Sequence, residues 1–191
     1  MRSATVERNT KETQIHVELN LDGGAVEVST GIGFFDHMLT AFGVHGGFGL
    51  KVIVRGDLQV DTHHTVEDTG IALGRAFHEA LGDFSGITRY GTFFVPMDES
   101  LAMCSLDLSN RPFLVFDADF LQARCGSYET CCTEEFFRAF AVNGGITLHA
   151  KLLYGTNAHH AIEALFKALA HAMHTACTPA GKDVLSTKGV L

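Results

Sequence analysis

Asp61-Thr62-His63-His64-Thr65-Val66-Glu67-Asp68 and Thr156-Asn157-Ala158-His159-His160-Ala161-Ile162-Glu163 are the two stretches on which the reading of this chain turns. Each places His-His-x-x-Glu where a polar loop gives way to a helical pattern. Working outward, Phe42-Gly43-Val44-His45-Gly46-Gly47 lines up with Phe140-Ala141-Val142-Asn143-Gly144-Gly145 at an offset of 98. The two HHxxE stretches line up at an offset of 96, so the second copy has a loop two residues shorter. A weaker match sets Glu12-Thr13 against Glu99-Ser100. Internal similarity takes precedence over local propensity in reading an architecture. The chain therefore reads as two fused copies in one compact unit, residues 1–85 and 86–191, the second ending in a tail.

Each copy follows one pattern. Alternation in Thr13–Leu19 and in Ala25–Val28 predicts half-buried strands joined at Asp22-Gly23-Gly24. Phe35, Met38, Leu39 and Phe42 fall at i, i+3, i+4 and i+7 of a helix over Phe34–Val44, ended by Gly46-Gly47. Leu50–Val54 is a predicted strand and Thr65–Leu81 a helix stopped at Gly82. In the second copy Tyr90–Val95, Leu101–Leu108, Phe113–Asp117 and Ile146–Leu153 read as strands, with helices at Glu134–Val142 and Ala161–Ala176. The fold class expected is α+β: duplicated βββαβα half-domains, with two four-stranded sheets and the helices packed between them. A last helix that is apolar nearly all round fits burial between layers.

The 191 residues are 46% hydrophobic and 19% charged, which excludes a disordered chain. A net charge of −8 without a basic run argues against nucleic acid or an anionic membrane as partner, though not against a small anion. No apolar run reaches the roughly 18 residues of a membrane span, and Met1-Arg2-Ser3 leads into polar sequence unlike a signal peptide. Five cysteines, an odd number with no CxxC spacing, read as reduced thiols in a cytoplasmic protein.

Residues four apart share a helix face, so His63 converges with Glu67 and His159 with Glu163; His64 and His160, three residues before those carboxylates, nearly do. Adjacent histidines diverge by about 100°, which suits two ions better than one. A single HHxxE reads better as helix caps or surface polarity than as a metal site; its duplication favours metal. Imidazole with carboxylate and no thiolate set suits Mn, Fe, Co, Ni or Zn. His37 and His45, eight apart on one helix, could reach the same site. Arg89, Arg111 and Lys188 are the cations that could hold an anion, Lys188 within Ser186-Thr187-Lys188-Gly189, although each alone reads as a solvated charge.

These motifs, together with Gly33-Phe34-Phe35-Asp36-His37-Met38-Leu39, Arg89-Tyr90-Gly91, Pro96-Met97-Asp98-Glu99 and Glu135-Phe136-Phe137-Arg138, resemble the imidazoleglycerol-phosphate dehydratase family from about Arg8 to Leu191. The resemblance implies a metal-dependent carbon–oxygen lyase of histidine biosynthesis, which converts D-erythro-imidazole glycerol phosphate to imidazole acetol phosphate and water. It implies two Mn²⁺ per active site, ligated by His37, His63, His64, Glu67, Glu135, His159, His160 and Glu163. Glu135 stands where many members have histidine. It implies Glu163 and Glu12 as candidates to move the proton, and substrate contacts from Glu12, His37, Met38, His45, His63, Glu67, Arg89, Arg111, Ser186, Thr187 and Lys188. It further implies a cytoplasmic homo-oligomer, a shell of twenty-four subunits with active sites between them. Asn110 and Leu185 stand where glycine and proline are usual. Two other readings remain open on the residues alone: a metal-dependent hydrolase, since His64 and Glu67 also spell HxxE, and a non-catalytic metal-binding assembly protein.

Overall fold

Alternating apolar residues and evenly spaced glycine turns build the same sheet twice. In the computed structural model, which describes residues 2–181 and 183–189, the first half contains β1 (Ser3–Asn9), β2 (Thr13–Asn20), β3 (Val26–Ser29), α1 (Gly33–Gly46), β4 (Gly49–Gly56) and α2 (His63–Leu81). The second contains β5 (Tyr90–Met97), β6 (Ser100–Leu108), β7 (Phe113–Asp117), a small hairpin of β8 (Arg124–Cys125) and β9 (Tyr128–Glu129), α3 (Cys132–Gly144), β10 (Ile146–Tyr154) and α4 (Ala158–Cys177). The sheets run β1-β2-β4-β3 and β5-β6-β10-β7. In each, the first two pairings are antiparallel and the last is parallel. The expected α+β architecture of two four-stranded sheets is present.

Three details depart from the sequence reading. β1 was not located in the sequence because only Val6 of its seven residues is buried, so it carries no clean alternation. The β8–β9 hairpin, expected by neither copy, is an addition to the second half. Both HHxxE helices also begin earlier than periodicity suggests, at His63 and Ala158. Polar capping rather than apolar spacing sets these starts. Asp61 Oδ1 accepts the backbone N–H of His63 at 2.8 Å, and Asn157 Oδ1 that of His159 at 2.9 Å.

The helices lie between the sheets. β1, β2 and β4 pack on α2 and β3 on α1; β5 and β6 pack on α4, and β7 and β10 on α3, with α1 against α4 and α2 against α3 joining the halves. Phe42 and Phe140, related by the repeat, meet edge to face at 6.0 Å with Phe77 bridging them. Each such fully buried ring contributes roughly 1.5–3 kcal/mol relative to exposure. Cys104, Cys132 and Cys177 are buried and behave as small apolar side chains. Among the described residues no helix is long and apolar enough to cross a membrane.

Close approach of helix and sheet depends on missing side chains. A Cβ on Gly91 of β5 would lie 1.9 Å from the carbonyl oxygen of Ala172 on α4, and one on Gly74 of α2 would lie 2.6 Å from that of Phe140 on α3. Neither neighbour is a flexible side-chain tip. Gly91→Ala is expected to destabilise the chain by about 1–3 kcal/mol or more through overpacking, read as a lower urea midpoint.

Candidate metal centre and anion cavity

α1 and α4 bring their first turns together. Asp36 Oδ1 accepts the backbone N–H and hydroxyl of Thr30, at 2.7 and 2.6 Å, and so fixes the loop entering α1. His37, the next residue, projects toward α4 with its Nε2 3.2 Å from Glu163 Oε2. The same oxygen lies 3.2 Å from His159 Nε2, the i,i+4 partner on α4. One ligand atom from each residue lies within 4.8 Å of the others, and among the described residues this is the only such group of three. Two imidazole nitrogens and one carboxylate oxygen match the donor set of a borderline divalent transition metal. The residues therefore fit an ion.

Lys167, which sequence reasoning passed over, completes this arrangement. Its Nζ lies 2.7 Å from Glu163 Oε1, so the two carboxylate oxygens face different partners. Burial pushes the Glu163 carboxyl up, but the Lys167 ammonium and the His37 imidazole outweigh it and leave it below its ordinary value. The signal was present, since Lys167 stands four residues after Glu163 on one helix face.

The first HHxxE forms pairs instead. His63 Nε2 lies 3.2 Å from Glu67 Oε2, and Glu135 lies 3.5 Å from Arg138 without joining them. The adjacent histidines diverge as expected. His64 turns its Nδ1 to Asp57 at 3.0 Å and its Nε2 toward Glu12 at 3.9 Å. His160 turns its Nδ1 to Glu99 at 2.7 Å and its Nε2 toward Asp98 at 3.5 Å. Asp57 raises the His64 imidazole above its ordinary value, and Glu99 does the same for His160. His45 does not join His37. Its Nδ1 lies 3.3 Å from His171 Nε2, and the His171 ring stacks on Phe93 at 4.3 Å. Burial pushes both imidazoles down. Met38 is fully buried in the core.

A second feature lies beyond the far end of α4. Arg89, Ser109, Asn110, Arg111 and residues 184–188, including Ser186, Thr187 and Lys188, line a cavity of about 870 Å³. Arg89 is not the solvated charge its sequence context suggested. It is 7% exposed, grips Asp107 with Nε at 2.6 Å and Nη2 at 3.0 Å, and donates from Nη1 to the Leu185 carbonyl. Arg111 is exposed, with Nη2 3.7 Å from Asp107. Asn110 has φ +54°, a conformation that glycine adopts freely and asparagine tolerates best among other residues, which accounts for the exchange at this position.

Fold and site together define a two-half α+β protein with a histidine–carboxylate centre at a helix start and a separate cavity whose lining includes Arg89, Arg111 and Lys188. A model of the imidazoleglycerol-phosphate dehydratase family matches residues 30–173. The chain is 57% identical to the imidazoleglycerol-phosphate dehydratase of Caldanaerobacter subterraneus subsp. tengcongensis, with all of both chains covered. The crystal structure of the Pyrococcus furiosus enzyme superposes with a TM-score of 0.86 at 40% identity, covering 97% of this chain and 100% of that one. The Staphylococcus aureus enzyme gives 0.85 at 38%, covering 93% and 99%. Full-length identity at this level, joined to the shared fold, makes this chain a member of the imidazoleglycerol-phosphate dehydratase family.

Lys167→Met is expected to destabilise chelator-treated protein, because it removes the cation facing a nearly buried carboxylate. The sign of its pH dependence follows from Glu163. A carboxyl held below its ordinary value of 4.5 contributes stability above that pH and loses it as the pH falls. The difference in urea midpoint between parent and variant should be widest near neutrality and narrow as the pH falls through the acid range where Glu163 takes up its proton.

Proposed function

We propose that this chain dehydrates D-erythro-imidazole glycerol phosphate to imidazole acetol phosphate in histidine biosynthesis, using two Mn²⁺ per active site within a cytoplasmic homo-oligomer. The observation that carries this reading is the convergence of His37, His159 and Glu163 in a chain of this family. His63, His64, Glu67, Glu135 and His160 complete the proposed ligand set. Bound ions would supply Lewis acidity and hold the substrate's imidazole ring.

Every other task falls to the chain's own groups. The phosphate is gripped by Arg111, Ser186, Thr187 and Lys188. Arg89 holds Leu185 and so the tail that carries three of these groups. Gripping the phosphate orients the far end of the substrate for reaction. Proton removal needs a carboxylate with a free oxygen. Glu163 has Oε1 on Lys167 and Oε2 on the histidines, which suits a ligand. Glu12 is exposed and approaches only His64, which suits a mobile base.

Distance within the helix supports active sites shared between subunits. The backbone N–H of Arg89 bonds Ala176 at the end of α4, thirteen residues beyond Glu163. At 1.5 Å per residue the two lie about 20 Å apart, more than a phosphorylated imidazole of this size can span. One protomer's metal centre would therefore face a partner's cavity. Five unpaired cysteines agree with a reducing compartment.

Turnover should disappear on chelation and return with Mn²⁺; a metal-loaded protein that leaves imidazole glycerol phosphate unchanged would sink the reading. His159→Ala should lower kcat/KM by about 100-fold or more through loss of metal. Shared sites make a separate prediction. Co-assembled His159→Ala and Lys188→Ala chains, each nearly inactive alone, should recover roughly a quarter of parental activity, since random mixing rebuilds that share of intact sites. No recovery in verified mixed particles would place both parts in one subunit.

A further inference from the structure

The two halves treat their second HHxxE histidine differently, and the difference assigns roles to three carboxylates. Strand register relates the positions. Gln14 of β2 faces Arg55 of β4, while Leu101 of β6 faces Tyr154 of β10. Two residues on from Arg55 is Asp57, and two on from Tyr154 is Thr156. Immediately before β2 stands Glu12, and immediately before β6 stands Glu99. Each half therefore has a glutamate at the mouth of its sheet, but only the first also has an aspartate opposite.

Both oxygens of Asp57 lie beside His64 Nδ1, at 3.2 and 3.0 Å. With that nitrogen satisfied, the Glu12 side chain is left at 3.9 Å from Nε2. In the second half Thr156 offers no carboxylate, Asp98 is the group 3.5 Å from His160 Nε2, and the Nδ1 side falls to Glu99. Its Oε2 takes His160 Nδ1 at 2.7 Å, while its Oε1 accepts the backbone N–H groups of Thr156 and Asn157 at 3.2 and 2.9 Å. Those amides lie in the loop that starts α4.

We propose that Asp57 and Glu99 are positioning residues, each accepting the Nδ1–H of one histidine and so presenting its Nε2 outward as a metal ligand. A carboxylate behind a ligating imidazole fixes the ring's tautomer and orientation. By the same geometry Glu99, the counterpart of Glu12, is committed to structure, and Glu12 alone of that pair keeps a free carboxylate. The inference rests on the metal reading above.

Calorimetric titration of Mn²⁺ into chelator-stripped protein tests it without substrate. Asp57→Ala should weaken binding about 10–100-fold, and Asp57→Asn, whose amide oxygen still accepts Nδ1–H, should stay near the parent. Glu99→Gln keeps an oxygen for the two backbone amides but turns an NH₂ toward His160. It should therefore retain the parental circular dichroism and lose affinity like Asp57→Ala. Parental affinity in both Asp57→Ala and Glu99→Gln would overturn the inference and leave the metal reading standing. No Mn²⁺ binding by the parent would remove that reading and this one with it.

Discussion

Burial of α4 is the constraint on which the rest of the structure depends. Fourteen of its residues are buried, so its position is set by contact with β5, β6, β10 and α1 rather than by solvent. A helix held on so many sides is a rigid rod, and this one has chemistry at both ends. His159, His160 and Glu163 lie in its first two turns, and the backbone of Arg89 is tied to its last. The separation of those two ends is then a property of helix length. Gly91 serves the same end by letting β5 approach the rod closely, and the stacking of Phe136 of α3 on Phe166 holds it from the side of the helices.

Much of this was legible in the sequence, and what was not has physical causes. The matched HHxxE motifs disclosed two halves, and i,i+4 spacing disclosed the His63–Glu67 and His159–Glu163 pairs, since a helix turns spacing into contact. What spacing cannot show is contact between elements. Spacing on α1 allowed His37 to reach the same site, and the resemblance named both His37 and Glu163 as ligands; their direct contact across two helices came only with the structure. The turning of His45 to His171, and the burial of Arg89 on Asp107, had no local signal. β1 escaped because an edge strand with one buried residue has little periodicity to detect. Asn110 departs from the glycine that the resemblance leads one to expect, and its φ of +54° is a conformation asparagine tolerates.

The charge distribution resolves an apparent conflict. A chain of net charge −8 holds a cavity suited to an anion because a few cations are placed locally while the acidic excess lies elsewhere. Asp107 is central to this. It accepts two bonds from Arg89 and stands 3.7 Å from Arg111, so one carboxylate organises two guanidinium groups without neutralising both. Arg89, with its donors turned to Asp107 and Leu185, is a strut for the tail, and the exposed Arg111 is the freer charge. A positive-charge count along the sequence would rank the two arginines equally; burial separates them.

Duplication also explains why the halves no longer match in chemistry although they match in topology. A glutamate at the sheet mouth can either fix a histidine or stay free, because a carboxylate that accepts an imidazole N–H and two backbone amides cannot also swing toward a proton. Asp57 relieves that conflict in the first half by taking over the fixed role, and the second half, with Thr156 at the corresponding strand position, retains the fixed glutamate. The exposed side chain of Glu12 is thus a consequence of its neighbour's contact. The same reasoning separates Glu67, paired only with His63, from Glu163, which is drawn into a three-residue centre by His37 and held by Lys167. Identical local motifs acquire different functions here through the partners that surrounding elements bring to them.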